Sequence, residues 1–174
     1  MLQKLNLENL LFLDIETVPE TAQHSELPED KQLLWEQKSK YQRKEDYSAE
    51  AFYDRAGVWA EFGKIVCISV GYFTIVNSER RFRVTSFYGE ERTLLLEFKT
   101  LIETVKRSKN KPFAILIFKV NRFSRSGGNA IALLQDLIHI HGVHLIEVSS
   151  GKDTTTQLGE HEIMQLLLSA KKEN

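Results

Sequence analysis

The sequence predicts an α/β fold, and two observations carry the prediction. Residues 64–73 (KIVCISVGYF), apolar on both faces over 65–70, and 113–120 (FAILIFKV) are strand-length runs that read as strands buried on both sides. Residues 91–105 place Leu94, Leu95, Phe98, Leu101, Ile102 and Val105 at the three-and-four spacing of an amphipathic helix. Strands covered on both faces call for helices packed above and below them.

The first strand is predicted over residues 10–16, from the apolar run Leu10 to Leu13. Val18-Pro19-Glu20 turns the chain away, because Pro19 disfavours helix at Val18. Residues 20–54 form a long polar excursion with a helix starting near Pro28 and a second over Ser48 to Asp54, where Ser48 is the N-cap. Lys38, Lys40, Tyr41, Arg43 and Lys44 fit either a solvated helix face or a nucleic-acid backbone contact. Gly57 and Gly63 bracket an irregular connection. Residues 81–87 set Arg81, Arg83 and Thr85 against Phe82, Val84 and Ser86, the alternation of a strand nearer an edge. Beyond the basic break 106–112, a strand over 113–120 is followed by a helix from Asn129 to His141 ended by Gly142. A strand from Val143 to Val148 follows, then a helix whose apolar face begins at Ile163, Met164, Leu167 and Leu168.

With 174 residues the chain accommodates one full domain or two small units. No apolar run nears the ~18 residues of a membrane span. No basic stretch leads into an apolar core at the N-terminus, so no secretory signal is expected. The single Cys67 sits in Ile65-Val66-Cys67-Ile68 and reads as a buried structural thiol. These features predict a cytoplasmic protein. Charge is uneven: residues 1–105 carry a net −5 and residues 106–174 a net +4, which predicts two units with different surfaces.

The residues that carry chemistry lie at the end of the first strand. Asp14 and Glu16 are two apart, so they share a face, about 7 Å apart along the strand. Neighbouring carboxylates repel, and a hard divalent cation relieves that repulsion while leaving sites for substrate phosphates. The pattern alone also fits an Asp14 that ends a strand or caps a helix. The stretches LFLDIETVPE, RAGVWAEFGKIVCISVGYF and FRVTSFYGEERTLLLEF resemble, in order, the predicted 3′–5′ exonucleases related to the proofreading domain of family B DNA polymerases. The resemblance covers residues 1–105. It implies a partial ribonuclease H-like sheet, catalytic and metal-binding roles for Asp14 and Glu16, Mg²⁺ or Mn²⁺ as cofactor, and DNA as substrate. The family's later motifs, each with another Asp, have no counterpart after residue 105.

Residues 113–174 resemble a different family. The strand, then Asn121-Arg122-Phe123-Ser124-Arg125, then GKDTTTQLGE, is similar to the C-terminal part of a serine recombinase (resolvase/invertase) catalytic domain. The resemblance implies a partial resolvase-like α/β unit in which Arg122 and Arg125 hold a DNA phosphate; the planar, permanently charged guanidinium suits that task. Asn121 stands where the family has Asp. The family's nucleophilic serine, in a Tyr-x-Arg-x-Ser stretch, is absent; Ser108, Ser124 and Ser126 are elsewhere. His139, His141 and His144 form a further candidate cluster, for a metal or for solvent.

The expectation is therefore a fusion joined at 106–112. It reads as an incomplete metal-dependent exonuclease, as a site-specific recombinase fragment, or as an inactive remnant. Exposed, mismatched sheet edges are expected to leave the junction a flexible joint.

Overall fold

The computed structural model describes residues 5–43, 47–59, 61–120 and 127–172. Six strands form one mixed sheet: β1 (Leu10–Pro19), β2 (Gly63–Val76), β3 (Glu79–Tyr88), β4 (Ala114–Ile117), β5 (His144–Glu147) and β6 (Lys152–Asp153), in the order β3-β2-β1-β4-β5-β6. Four α-helices accompany it: α1 (Glu29–Ser39), α2 (Glu91–Arg107), α3 (Gly127–Gln135) and α4 (Gln157–Lys172). The predicted α/β class is the class observed.

β1 is central. It pairs antiparallel with β2 and parallel with β4, from Leu10 opposite Ala114 to Leu13 opposite Ile117. The sheet therefore runs unbroken past residues 106–112. β4 pairs parallel with β1 on one side and with β5 on the other.

Alternation along β1 divides the molecule. Leu11, Leu13 and Ile15 face a core that also contains Ile68 and Val70 of β2, Leu94 and Ile102 of α2, Ile115 and Ile117 of β4, Leu134 of α3 and Ile163 and Leu167 of α4. Both sequence parts thus fill one core. Lys106 ties them again at the surface, pairing with Glu103 at 3.0 Å and with Asp136 at 2.7 Å. The hydrogen bond from Lys106 holds the Asp136 carboxyl below the usual carboxylate range, and the bond to Asp136 raises the Lys106 ammonium.

Leu10, Phe12, Asp14 and Glu16 face the other way. There Leu10, Ala114, Leu116 and Ile146 make a small cluster with Leu5, Leu7 and Phe12. The excursion between β1 and β2 has its own core. Trp35 is fully buried, donates its indole N–H to Ala49 O at 2.7 Å, and packs edge-on to Tyr53, Trp59 and Phe62.

Several boundaries differ from those expected. β1 continues to Pro19, because β2 pairs with it as far as Gly63. No helix spans 48–54: turns lead into a 3-10 helix at Tyr53–Val58, and Ser48 Oγ accepts from Ala51 N at 3.1 Å as a turn cap. Burial of Phe52, Tyr53 and Ala56 in the Trp35 cluster overrides the local capping signal. β4 is four residues long rather than eight: β5 ends opposite it at Glu147, and β1 runs on to Pro19 paired only with β2. The helix predicted to His141 passes at Asp136 into a π-helical turn, Asp136–Ile140, and Gly142 at φ 67° ends it as expected. Asp153 is a buried strand residue, not a turn residue. α2 begins where Glu90 caps it, accepting from the backbone N–H groups of Arg92 and Thr93 at 3.0 Å each.

Candidate functional site

The face opposite the main core carries the acids. Pairing orders it in rows across three strands: Phe12, Gly71 and Val84; then Asp14, Ser69 and Ser86; then Glu16, Cys67 and Tyr88. Asp14 and Glu16 are both exposed. Beside them Ser69 Oγ and Ser86 Oγ are 2.9 Å apart, and Cys67 Sγ lies 3.6 Å from Ser69 Oγ. Cys67 is half-buried on this face, not enclosed in the core as its sequence neighbours implied. On this side of β2, Cys67, Ser69 and Phe73 are only half-buried, which corrects the expectation of burial on both faces.

Two features shape the acidic end. Glu16 pairs with Cys67 and Thr17 with Ile65, so Val66 is an extra residue in β2, a β-bulge next to Glu16. A groove of about 520 Å³ runs from Asp14 over the apolar row, lined by Phe12, Ser69, Phe82, Leu116 and Phe118 among others. Gly71 makes its floor: a β-carbon there would collide with the ring of Phe82, which lies across it. Phe12 meets Phe82 and Phe73 edge-on at 5.5 and 5.8 Å.

Carboxylate oxygens are the right donors for a hard divalent cation. Among the described residues, however, no group of three or more His, Cys, Asp or Glu side chains could hold a metal ion. Two acids alone leave most of a cation's coordination to water.

Arg122 and Arg125 lie outside the described residues, with Asn121, Ser124 and Ser126. The residue before that segment is anchored: the buried N–H of Val120 donates to Glu147 Oε1 at 2.8 Å, and Ser150 Oγ donates to the other oxygen of the same buried carboxylate. The three histidines diverge. His139 pairs with Glu160 at 2.8 Å, His141 lies 3.7 Å from Asp136, and His144 donates to Thr154 O at 2.9 Å. Lys38 of the basic excursion pairs with Glu61, and Tyr41 is almost fully exposed.

Ser69 and Ser86 were not singled out from the sequence. The signal was present: a two-residue turn at Asn77-Ser78, both with positive φ, fixes the hairpin register that sets one opposite the other.

No protein-family model matches the chain, and neither does any curated protein. Among solved structures, the N-terminal catalytic domain of TP901-1 integrase is similar at 25% identity with a TM-score of 0.33, over 43% of this chain and 56% of that one. The chain thus spans little more than half of that domain. No helix among the described residues is long and apolar enough to cross a membrane.

Proposed function

We propose that the chain is a DNA-processing protein whose residues 113–174 derive from a serine recombinase catalytic domain and bind a DNA phosphate through Arg122 and Arg125. The observation that carries this reading is the element order after residue 112. Strand β4, the arginine segment, α3, strand β5 and α4 follow one another as the sequence resemblance implies. The buried Glu147 carboxylate fixes the backbone at the entrance to that segment, which supports a defined role for it. With no Tyr-x-Arg-x-Ser stretch, the chain binds phosphate without cutting the strand. Filter binding of a labelled DNA fragment tests the reading. Arg122→Ala should weaken binding at least about tenfold, the loss of a charge-assisted contact; unchanged binding would remove the phosphate role.

A second reading concerns residues 1–105, and a different observation favours it. Asp14 and Glu16 share an exposed strand face, and Asp14 lines the end of a groove. This supports a weak Mg²⁺ or Mn²⁺ site, the remnant of an exonuclease-like centre lacking its other acids. Nuclease activity is expected to be negligible, since groups in a cooperative centre act as a unit. Calorimetric titration with Mn²⁺ should give a weak isotherm that Asp14→Ala abolishes. Equal isotherms for both proteins would leave the acids without a metal role.

A further inference from the structure

A second cluster lies on the outer half of the β2–β3 hairpin, away from the acids. Register sets Tyr72 opposite Arg83 and Thr74 opposite Arg81. All four share the face of Ile68 and Val70, which pack in the main core beneath α2. The core does not extend to them. Tyr72 is 41% exposed, the Arg81 side chain is 52% exposed, and Arg83 is exposed. Among the described residues Arg81 has only Glu79 as an ion-pair partner, at 3.3 Å, an exposed contact of little strength. None of the described ion pairs involves Arg83.

The charge is local. Residues 79–88 hold three arginines and one glutamate inside a part of the chain with net charge −5, so this strand is a cationic island. Its chemistry is paired: a guanidinium directly beside an exposed phenol ring. Guanidinium forks take phosphate oxygens, and aromatic faces stack nucleobases of any sequence. Arg81 and Arg83 are about 7 Å apart along the strand, which lets each take a different phosphate of an extended chain.

We propose that this hairpin face is a contact surface for single-stranded nucleic acid, with phosphates on Arg81 and Arg83 and a base on Tyr72. It stands apart from both readings above, since it uses neither the acids nor the segment 121–126. The test is fluorescence anisotropy of the full chain with a labelled oligothymidylate, titrated over a range of salt concentrations in EDTA. Chelation removes any contribution from a cation at Asp14 and Glu16. Arg81→Ser and Arg83→Ser should each weaken binding and lower the log–log salt slope by about 0.7. Tyr72→Ala should weaken binding at least about fivefold and leave the slope unchanged. All three positions are exposed, so unaltered melting curves confirm that the variants fold. A slope that the double arginine variant does not change overturns the phosphate assignment. Equal competition by a duplex of the same length overturns the stacking assignment. A glutamate-rich peptide that binds more tightly than the oligothymidylate assigns the surface to an acidic protein and overturns the proposal.

Discussion

The two faces of the sheet are built on opposite terms. One is closed: Leu13, Ile15, Ile115 and Ile117 lie under α2, α3 and α4, and residues from before and after 106–112 are mixed there without a seam. The other is open: Phe82, Val84 and Phe118 are about half exposed, and Asp14 and Glu16 reach solvent beside them. Most of the packing therefore lies on one side, and the exposed carboxylates lie on the other. A carboxylate pair is tolerable on the open face because water solvates it; on the closed face its desolvation would be prohibitive. The difference also explains how the stretches before and after 106–112 can share one sheet. Apolar packing is permissive about origin as long as volume and pattern agree, whereas a catalytic set must be complete to act.

Breaking the closed face has the largest expected effect. Leu134 is fully buried, and Leu134→Ala should lower the unfolding free energy by about 2–5 kcal/mol in a urea titration. Phe82→Ala on the open face should lower it by about 1 kcal/mol or less. Equal losses would mean that the groove side is core as well.

Next comes the clasp at Lys106, where the two parts meet at the surface. Lys106→Met should cost about 1 kcal/mol at neutral pH. The sign of its pH dependence follows from the shifts. The Asp136 carboxyl is lowered by its bond to Lys106, so its contribution is present above the ordinary value of 3.8 and is lost as pH falls through the lowered one. Lys106 is raised, so its contribution is present below 10.5 and is lost as pH rises through the higher value. The difference between wild type and Lys106→Met should be flat across neutral pH and shrink at both extremes. A difference that instead changes near pH 6–7, the ordinary range of histidine, would assign the clasp to His141.

The smallest effect sharpens the contrast. Asp14→Ala should stay within about 0.5 kcal/mol of wild type in the same urea titration. A loss above about 2 kcal/mol would make Asp14 a structural residue and the open face part of the framework.

Periodicity made the covered elements legible. The 3–4 spacing of Leu94, Phe98, Leu101 and Val105 gives α2 to within two residues of its end at Arg107. The i, i+2 spacing of Asp14 and Glu16 gives their common face. What failed was anything decided by a distant partner. The run 113–118 is uniformly apolar, so nothing in it says that β4 stops at Ile117; the end of its partner β5 at Glu147 marks that. Ser48 looked like a helix cap because the pull of Trp35 on Phe52 and Tyr53 is a tertiary effect. The half-open β2 was missed because Val66 and Cys67 are apolar in composition, while exposure depends on what packs over them. Of the acidic site, the pair itself was legible; Ser69, Ser86 and the groove required the register.

The parallel pairing of β1 with β4 has a kinetic consequence. Leu10 meets Ala114 more than a hundred residues downstream. On a ribosome adding about 5–20 residues per second, β4 emerges several seconds or more after β1. β1, β2, β3 and α2 are all synthesised in that interval, and one edge of β1 stays unpaired throughout. That edge is the flat, apolar stretch Leu10 to Leu13, the kind that recruits other chains. Yield of soluble protein should therefore depend on how fast the last third of the chain follows the first strand.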